Sequence, residues 1–367
     1  MSRRPPLRPI VLLLAACGAA ACAAACAPAA PGAGGEVGAP SPAVVREPQM
    51  SGTTQLLIAV HPVSASVAWA SGGRGTWTRT TDGGRTWVSG RVTGADSLQF
   101  RDVHALDATT AWLLSIGPGA QSRIYRTDDG GAQWHAQFVN PDPKGFYDCF
   151  AFWDAARAVA IGDAIDGAMA VLRTEDGGQH WTRVPPERLP RANAGEGSFA
   201  ASGTCAATGP GGRAWLVMST PSQARLLRTA DYGRTWALET LPITTHEGSG
   251  PQSVLFRDAR HGLVVGGGYA SRPGDTLVAA TDDGGDTWRA VGGGPPFKVG
   301  SWGAAWIPGA RVPTVLAVGP NGSAWSRDGG TTWVVLDTLN YWSVGAASPT
   351  AAWAVGTQGR ITRSGGW

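Results

Sequence analysis

The chain has 367 residues, room for one large domain or two small ones, and only 16% of them are charged. Its 53 glycines and 17 tryptophans against 4 methionines point to many short strands joined by tight turns. No long stretch after residue 30 has a helical period, and the formal charge of +3 vanishes without Arg3, Arg4 and Arg8, so neither a helical domain nor a nucleic-acid footprint is supported.

The chain opens MSRRPPLRP and continues IVLLLAAC. This basic head and short apolar run reads as a signal segment over residues 1–16, because the run is too short to span a bilayer as a helix. Leu14-Ala15-Ala16-Cys17 resembles the bacterial lipobox, which implies a lipid on Cys17; the alternative is an ordinary signal cut nearer Cys26. Residues 17–43 are Ala, Pro and Gly with almost no charge, the composition of a flexible tether. The expectation is an exported protein, periplasmic or at the cell surface, held to a membrane by its N-terminal lipid.

From residue 44 the chain repeats itself. A phrase close to Arg-Thr-x-Asp-Gly-Gly-x-x-Trp ends at Trp87, Trp134, Trp181, Trp236, Trp288 and Trp333, with spacings of 47, 47, 55, 52 and 45 residues. That period suits a four-stranded unit of a propeller. Residues 146–184 show the grammar: strand A (FYDCFAFWD), a tight turn, strand B (AVAIG), a loop, strand C (MAVLRT), the Asp-Gly-Gly turn and strand D (HWTRV). Strand B occurs seven times, but the seventh phrase runs into Trp367 without a D strand. Val44 to Gln49, ahead of the first A strand, supplies the missing strand if the ring closes, and closure removes open sheet edges. The predicted fold is an all-β, seven-bladed propeller over residues 44–367.

The phrase resembles the Asp box of the bacterial neuraminidase repeat. Asp82, Asp129, Asp176, Asp231, Asp283 and Asp328 are placed to accept turn N–H groups, glycine permits positive φ, and the hydroxyl residue bonds within the turn. The six tryptophans are expected in the core between blades. The order of elements, with Arg-Thr ahead of Asp-Gly-Gly, resembles the photosystem II stability/assembly factor-like propellers. That resemblance implies a non-catalytic, protein-binding scaffold, and an arginine patch whose matching positions are Arg79, Arg126, Arg173 and Arg228. Blades five, six and seven have Ala280, Trp325 and Ile361 instead, and the competing reading pairs each arginine with an acid on its own or the next blade.

Strand parity puts the A–B and C–D turns on one face and the B–C and D–A connections on the other. The variable loops all lie on the second face, where sites usually sit. The candidates there are Tyr147, Asp148, Asp163, Asp166, Glu196, Ser198, His246, Glu247, Trp302, Tyr341 and Trp342. Aromatics with a few acids suit a peptide or a sugar. A sialidase-like site would need three convergent arginines beside a Tyr–Glu pair, such as Tyr341 with Glu196 or Glu247. Scattered histidines give no metal cluster, and no nucleotide fingerprint follows a strand. Cys149 and Cys205 occupy matching places on neighbouring inner strands, either bonded or as two free thiols. The sequence therefore predicts a monomeric binder of protein or peptide with no catalysis and no cofactor; the alternative is a carbohydrate-binding or glycosidase-like propeller.

Overall fold

The computed structural model describes residues 44–367, so Cys17, the signal segment and the tether lie outside the described residues. Among the described residues twenty-eight short strands form seven four-stranded antiparallel sheets, six of them made of four strands consecutive in sequence. The blades cover residues 57–91, 99–139, 147–183, 206–241, 249–292, 303–337 and 343–365, the last completed by Val45–Met50. The first strands of successive blades pack on one another in an unbroken ring, so they are the inner strands about a central channel.

The ring closes as the strand count requires. Val45–Met50 pairs antiparallel with Arg360–Gly365, from Val45 opposite Gly365 to Met50 opposite Arg360. Side chains stitch this strand to both neighbours. Arg46 pairs with Asp337 of blade six, and Gln49 accepts the indole N–H groups of Trp87 (3.0 Å) and Trp353 (3.1 Å).

The repeated phrase makes one bonding pattern six times. A Thr or Ser hydroxyl donates to the Asp carboxylate and accepts the N–H of the second glycine position, at 2.8 Å for Thr80–Gly84 and 2.9 Å for Thr127–Gly131. The same carboxylate accepts an N–H four residues on, as from Thr86 (2.9 Å) and Gln133 (2.9 Å). These bonds hold the Asp82 carboxyl at about 2, the Thr86 hydroxyl contributing most. The phrase tryptophans are less buried than the core expectation. Trp87, covered by Gln49, is buried, but Trp134, Trp181, Trp236, Trp288 and Trp333 are half-buried at the ends of the inter-blade seams. The large core rings are instead Trp69, Trp112, Trp215 and Trp353 on the B strands, at most 1% exposed.

Three of the four arginines of the phrase fasten neighbouring blades, and Arg173 pairs within its own. Arg126 pairs with Asp128 (2.6 Å) and reaches the Gly177 carbonyl of blade three (3.1 Å). Arg173 pairs with Glu175 (2.5 Å), and Arg228 pairs with Glu239 (3.0 Å) and with Asp286 of blade five (2.9 Å). Arg79 bonds the Ala108 carbonyl of blade two and lies over Trp69. In blade seven the matching residue is Arg363 rather than Ile361. Arg363 stands opposite Trp353 as Arg79 stands opposite Trp69, because the register of the last C strand runs two residues further along than the sequence match implied.

Candidate functional site

The inner strands share a feature that builds the site. Register shifts leave one extra residue at the same ladder level in four of them: Ile58, Arg101, Asp148 and Gln252. In blades six and seven the residue at that level is Trp302 or Trp342, whose N–H bonds back to Val318 (2.9 Å) or Val355 (2.8 Å) of the B strand. In blade four it is Thr204, next to Cys205, whose carbonyl accepts the Val217 N–H. Bulges re-aim side chains, and this level lies at the B–C and D–A end of the channel, on the face predicted to carry the site.

A loop then crosses the channel. Residues 198–204, between blades three and four, reach four other blades. The Ala200 carbonyl accepts from Arg101 of blade two (2.8 Å), and Thr204 bonds Ser253 of blade five (2.7 Å). Ser202, 2% exposed, donates to the Trp302 carbonyl beside blade six (2.6 Å) and accepts from Ser343 of blade seven (2.9 Å). Gly203, at φ +74°, passes so close to Asp102 that a Cβ there would lie 2.4 Å from its carboxylate oxygen. Two buried fastenings hold the loop at its roots. Glu196 forms a bidentate pair with Arg225, and Cys205 is disulfide-bonded to Cys149 across blades three and four, with Cα atoms 5.9 Å apart. That resolves the open pairing of the two cysteines: neighbouring inner strands approach within bridging distance.

Above the loop sits a pocket of about 350 Å³ lined by Arg101, Phe199, Gln252, Tyr269, Trp302 and Trp342. Tyr269 (75% exposed) packs edge-on to Trp302 at 5.4 Å, and Trp302 to Trp342 at 4.5 Å. The Arg101 guanidinium covers the Trp342 ring at 5.2 Å. Two buried acceptors at the ring level lack partners, Asp148 Oδ2 and Gln252 Oε1. Burial pushes the Asp148 carboxyl well above the ordinary range, with the charge of Asp163 adding to the shift. Burial also raises Asp163 to about 6, against a backbone bond from Ser198.

Of the sequence candidates, the pocket takes in Trp302 and Trp342, with Asp148 beside them on the ring. The others stand elsewhere. Tyr341 is fully buried, and its hydroxyl meets Thr362 (2.8 Å), Asp337 (3.2 Å) and Arg46 (3.1 Å) between blades six and seven. Tyr147 is buried against Phe138, and burial raises its hydroxyl to about 12. One residue ahead of a ring position, both tyrosines point outward along the seam and not into the channel. Glu196 is spent on Arg225, and Ser198 donates to the Val217 carbonyl (2.7 Å). Asp166 pairs with Lys144 (2.9 Å), His246 with Asp275 (3.0 Å), and Glu247 is exposed in its loop. Arg101, Gln252, Phe199 and Tyr269 are additions. The first two follow from aligning the inner strands on their ladder partners: Phe-Arg-Asp, Tyr-Asp-Cys and Gln-Ser put the ring residue in one column.

No family model matches this chain, and no curated protein matches it. Solved structures do. The WD40 domain of Neurospora crassa Pan2 is 9% identical with a TM-score of 0.59, over 85% of this chain and 89% of that one. The WD40 propeller domain of Doa1 is 14% identical with a TM-score of 0.58, over 87% and 97%. YCF48 from Cyanidioschyzon merolae is 16% identical with a TM-score of 0.41, over 87% and 98%, and YCF48 bound to D1 peptide is 17% identical with a TM-score of 0.40, over 88% and 96%. The chain is a seven-bladed β-propeller. The likeness to the two WD40 domains rests on that architecture alone.

Proposed function

We propose that this protein is an exported, non-catalytic propeller that captures a protein or peptide segment at the mouth of its central channel. The observation that carries the reading is the aromatic pocket on the channel-crossing loop, where exposed Tyr269 and half-buried Trp342 flank the buried Trp302 ring beside the Arg101 guanidinium. Aromatic and arginine side chains dominate binding energy in recognition sites. The pieces of a glycosidase centre do not meet here: Tyr341 is locked between blades, Glu196 is neutralised by Arg225, and the phrase arginines are fastened in the seams. In this reading Cys17 carries the lipid and residues 17–43 are the tether; the first described strand, Val45–Met50, begins on the face of the Asp-Gly turns.

The test is selection of peptides from a random display library on the purified protein. The account expects selected peptides to lose at least tenfold in affinity on Trp342→Ala, with the melting temperature kept. A protein that selects no peptide but retains glycans on an array, or that cleaves an aryl glycoside, overturns it in favour of the carbohydrate reading.

A further inference from the structure

The mouth contains an arginine with no carboxylate in contact. Arg225 is paired with Glu196 and Arg46 with Asp337, while Arg79 in its seam meets only a carbonyl and a tryptophan ring. Arg101 is half-buried, yet its acceptors are the neutral amide oxygen of Gln99 (3.0 Å) and the Ala200 carbonyl (2.8 Å), and among the described residues no carboxylate lies within ion-pair distance. The neighbouring acid on the ring, Asp148, is 1% exposed, and burial and the charge of Asp163 favour its neutral form against the pull of Arg101. A guanidinium has five N–H bonds. Contacts to Gln99 and Ala200 use three, through Nε, Nη2 and Nη1, which leaves two for a ligand. A partly desolvated charge left in this way is costly, and a carboxylate bound in bidentate fashion offsets that cost best.

The pocket states two further requirements. Gln252, 2% exposed, turns its amide N–H to the Gly267 carbonyl (3.0 Å) and leaves Oε1 as an unused buried acceptor, which calls for an N–H donor. Phe199, Tyr269 and Trp302 call for an apolar or aromatic group within one residue's reach. A peptide supplies all three groups when an acidic side chain follows an apolar one, the donor being a backbone N–H.

We propose that the mouth recognises an internal acidic residue of a peptide, with Arg101 as the anion-binding residue, Gln252 as the acceptor for a peptide N–H and the aromatic cage holding the apolar neighbour. This rests on the mouth being the binding site, and it adds the charge of the ligand.

The probes are acetyl-Phe-Glu-amide and acetyl-Phe-Gln-amide, which differ only in the charge of one side chain and carry no free terminus. Binding is followed by tryptophan fluorescence. The expected result is saturable binding of the glutamate peptide and at least tenfold weaker binding of the glutamine peptide. In Arg101→Gln the two should bind equally and weakly, with Arg101→Lys in between. Equal affinities on the unaltered protein overturn the acidic-ligand inference and leave peptide capture standing. Binding of neither peptide overturns this inference, and the mouth reading with it if the display selection also yields nothing. The comparison on the unaltered protein needs no variant to fold, so a misfolded Arg101→Gln protein does not blunt the test.

Discussion

The two faces of the ring are built from similar residues and treat them in opposite ways. On the face of the Asp-Gly turns every carboxylate of the repeated phrase is satisfied within its own turn, six times over, and the phrase arginines close onto the next blade or a neighbouring acid. At the mouth, Arg101 has no acid partner, and Asp148 and Gln252 each leave a buried oxygen unused. Buried polar groups are normally paired. The turn face also leaves buried N–H groups unpaired, Arg79 Nε and Trp134 Nε1 among them, so what sets the mouth apart is the pair of unused acceptors at one ladder level beside Arg101, the groups assigned above to the proposed peptide.

The largest expected effect breaks the comparison at the root of the channel-crossing loop. Arg225→Met leaves Glu196 buried and uncompensated and should cost about 3–5 kcal/mol in urea denaturation, whereas Arg126→Met on the turn face should cost under about 1 kcal/mol. Equal losses would mean that the loop is not anchored as described. Next, removing the Cys149–Cys205 bond, by reduction or by paired Cys→Ala changes, should cost about 2–4 kcal/mol, since it closes a loop of sequence separation 56 between two blades. An unchanged denaturation midpoint under reductant counts against a structural role.

A smaller effect is set by pH. In the folded protein Asp163 titrates at about 6, against 3.8 for an ordinary aspartate. Protonation therefore favours the fold: the contribution is fully present below about pH 4 and is lost as pH rises through about 6. Asp163→Asn should remove that dependence and stabilise the protein at pH 7 by about 2 kcal/mol, read from melts across this range. Because buried His61 and His104 titrate in the opposite sense over this range, the contradicting result is a difference between the variant and the unaltered protein that stays constant from about pH 4 to 7. The smallest change is within one turn. Thr127→Val strips the acceptor of the Gly131 N–H and a donor to Asp129, costing about 1 kcal/mol without touching binding at the mouth.

The scaffold face was legible in the sequence because its chemistry is local. Hydroxyl, carboxylate and glycine lie within a few residues of one another, and the missing seventh D strand named its own replacement at Val44–Gln49. Strand parity also placed the variable loops on the correct face. The residues of the candidate pocket and its ring were legible only where they were conspicuous, as with Trp302, Trp342 and Asp148. Tyr341 and Tyr147 misled because a one-residue shift against the bulge turns a side chain from the channel to the seam. Arg101 and Gln252 escaped notice because a bulge leaves no mark in a single strand; it shows only when the seven inner strands are set side by side. Glu196 looked like a site acid because its partner, Arg225, is 29 residues away on another strand. Of the phrase tryptophans, read as core, Trp87 is buried as expected, and the other five stand at seam ends because each turn brings the ring to the rim of the sheet.

The most direct test labels every tryptophan with 5-fluorotryptophan and follows the 19F spectrum as a selected peptide is added. Both faces carry tryptophans, so one titration reads both. The resonances of Trp302 and Trp342 should move with saturation while those of Trp134, Trp181, Trp236, Trp288 and Trp333 stay in place. Movement of the turn-face signals with the mouth pair unchanged would contradict it.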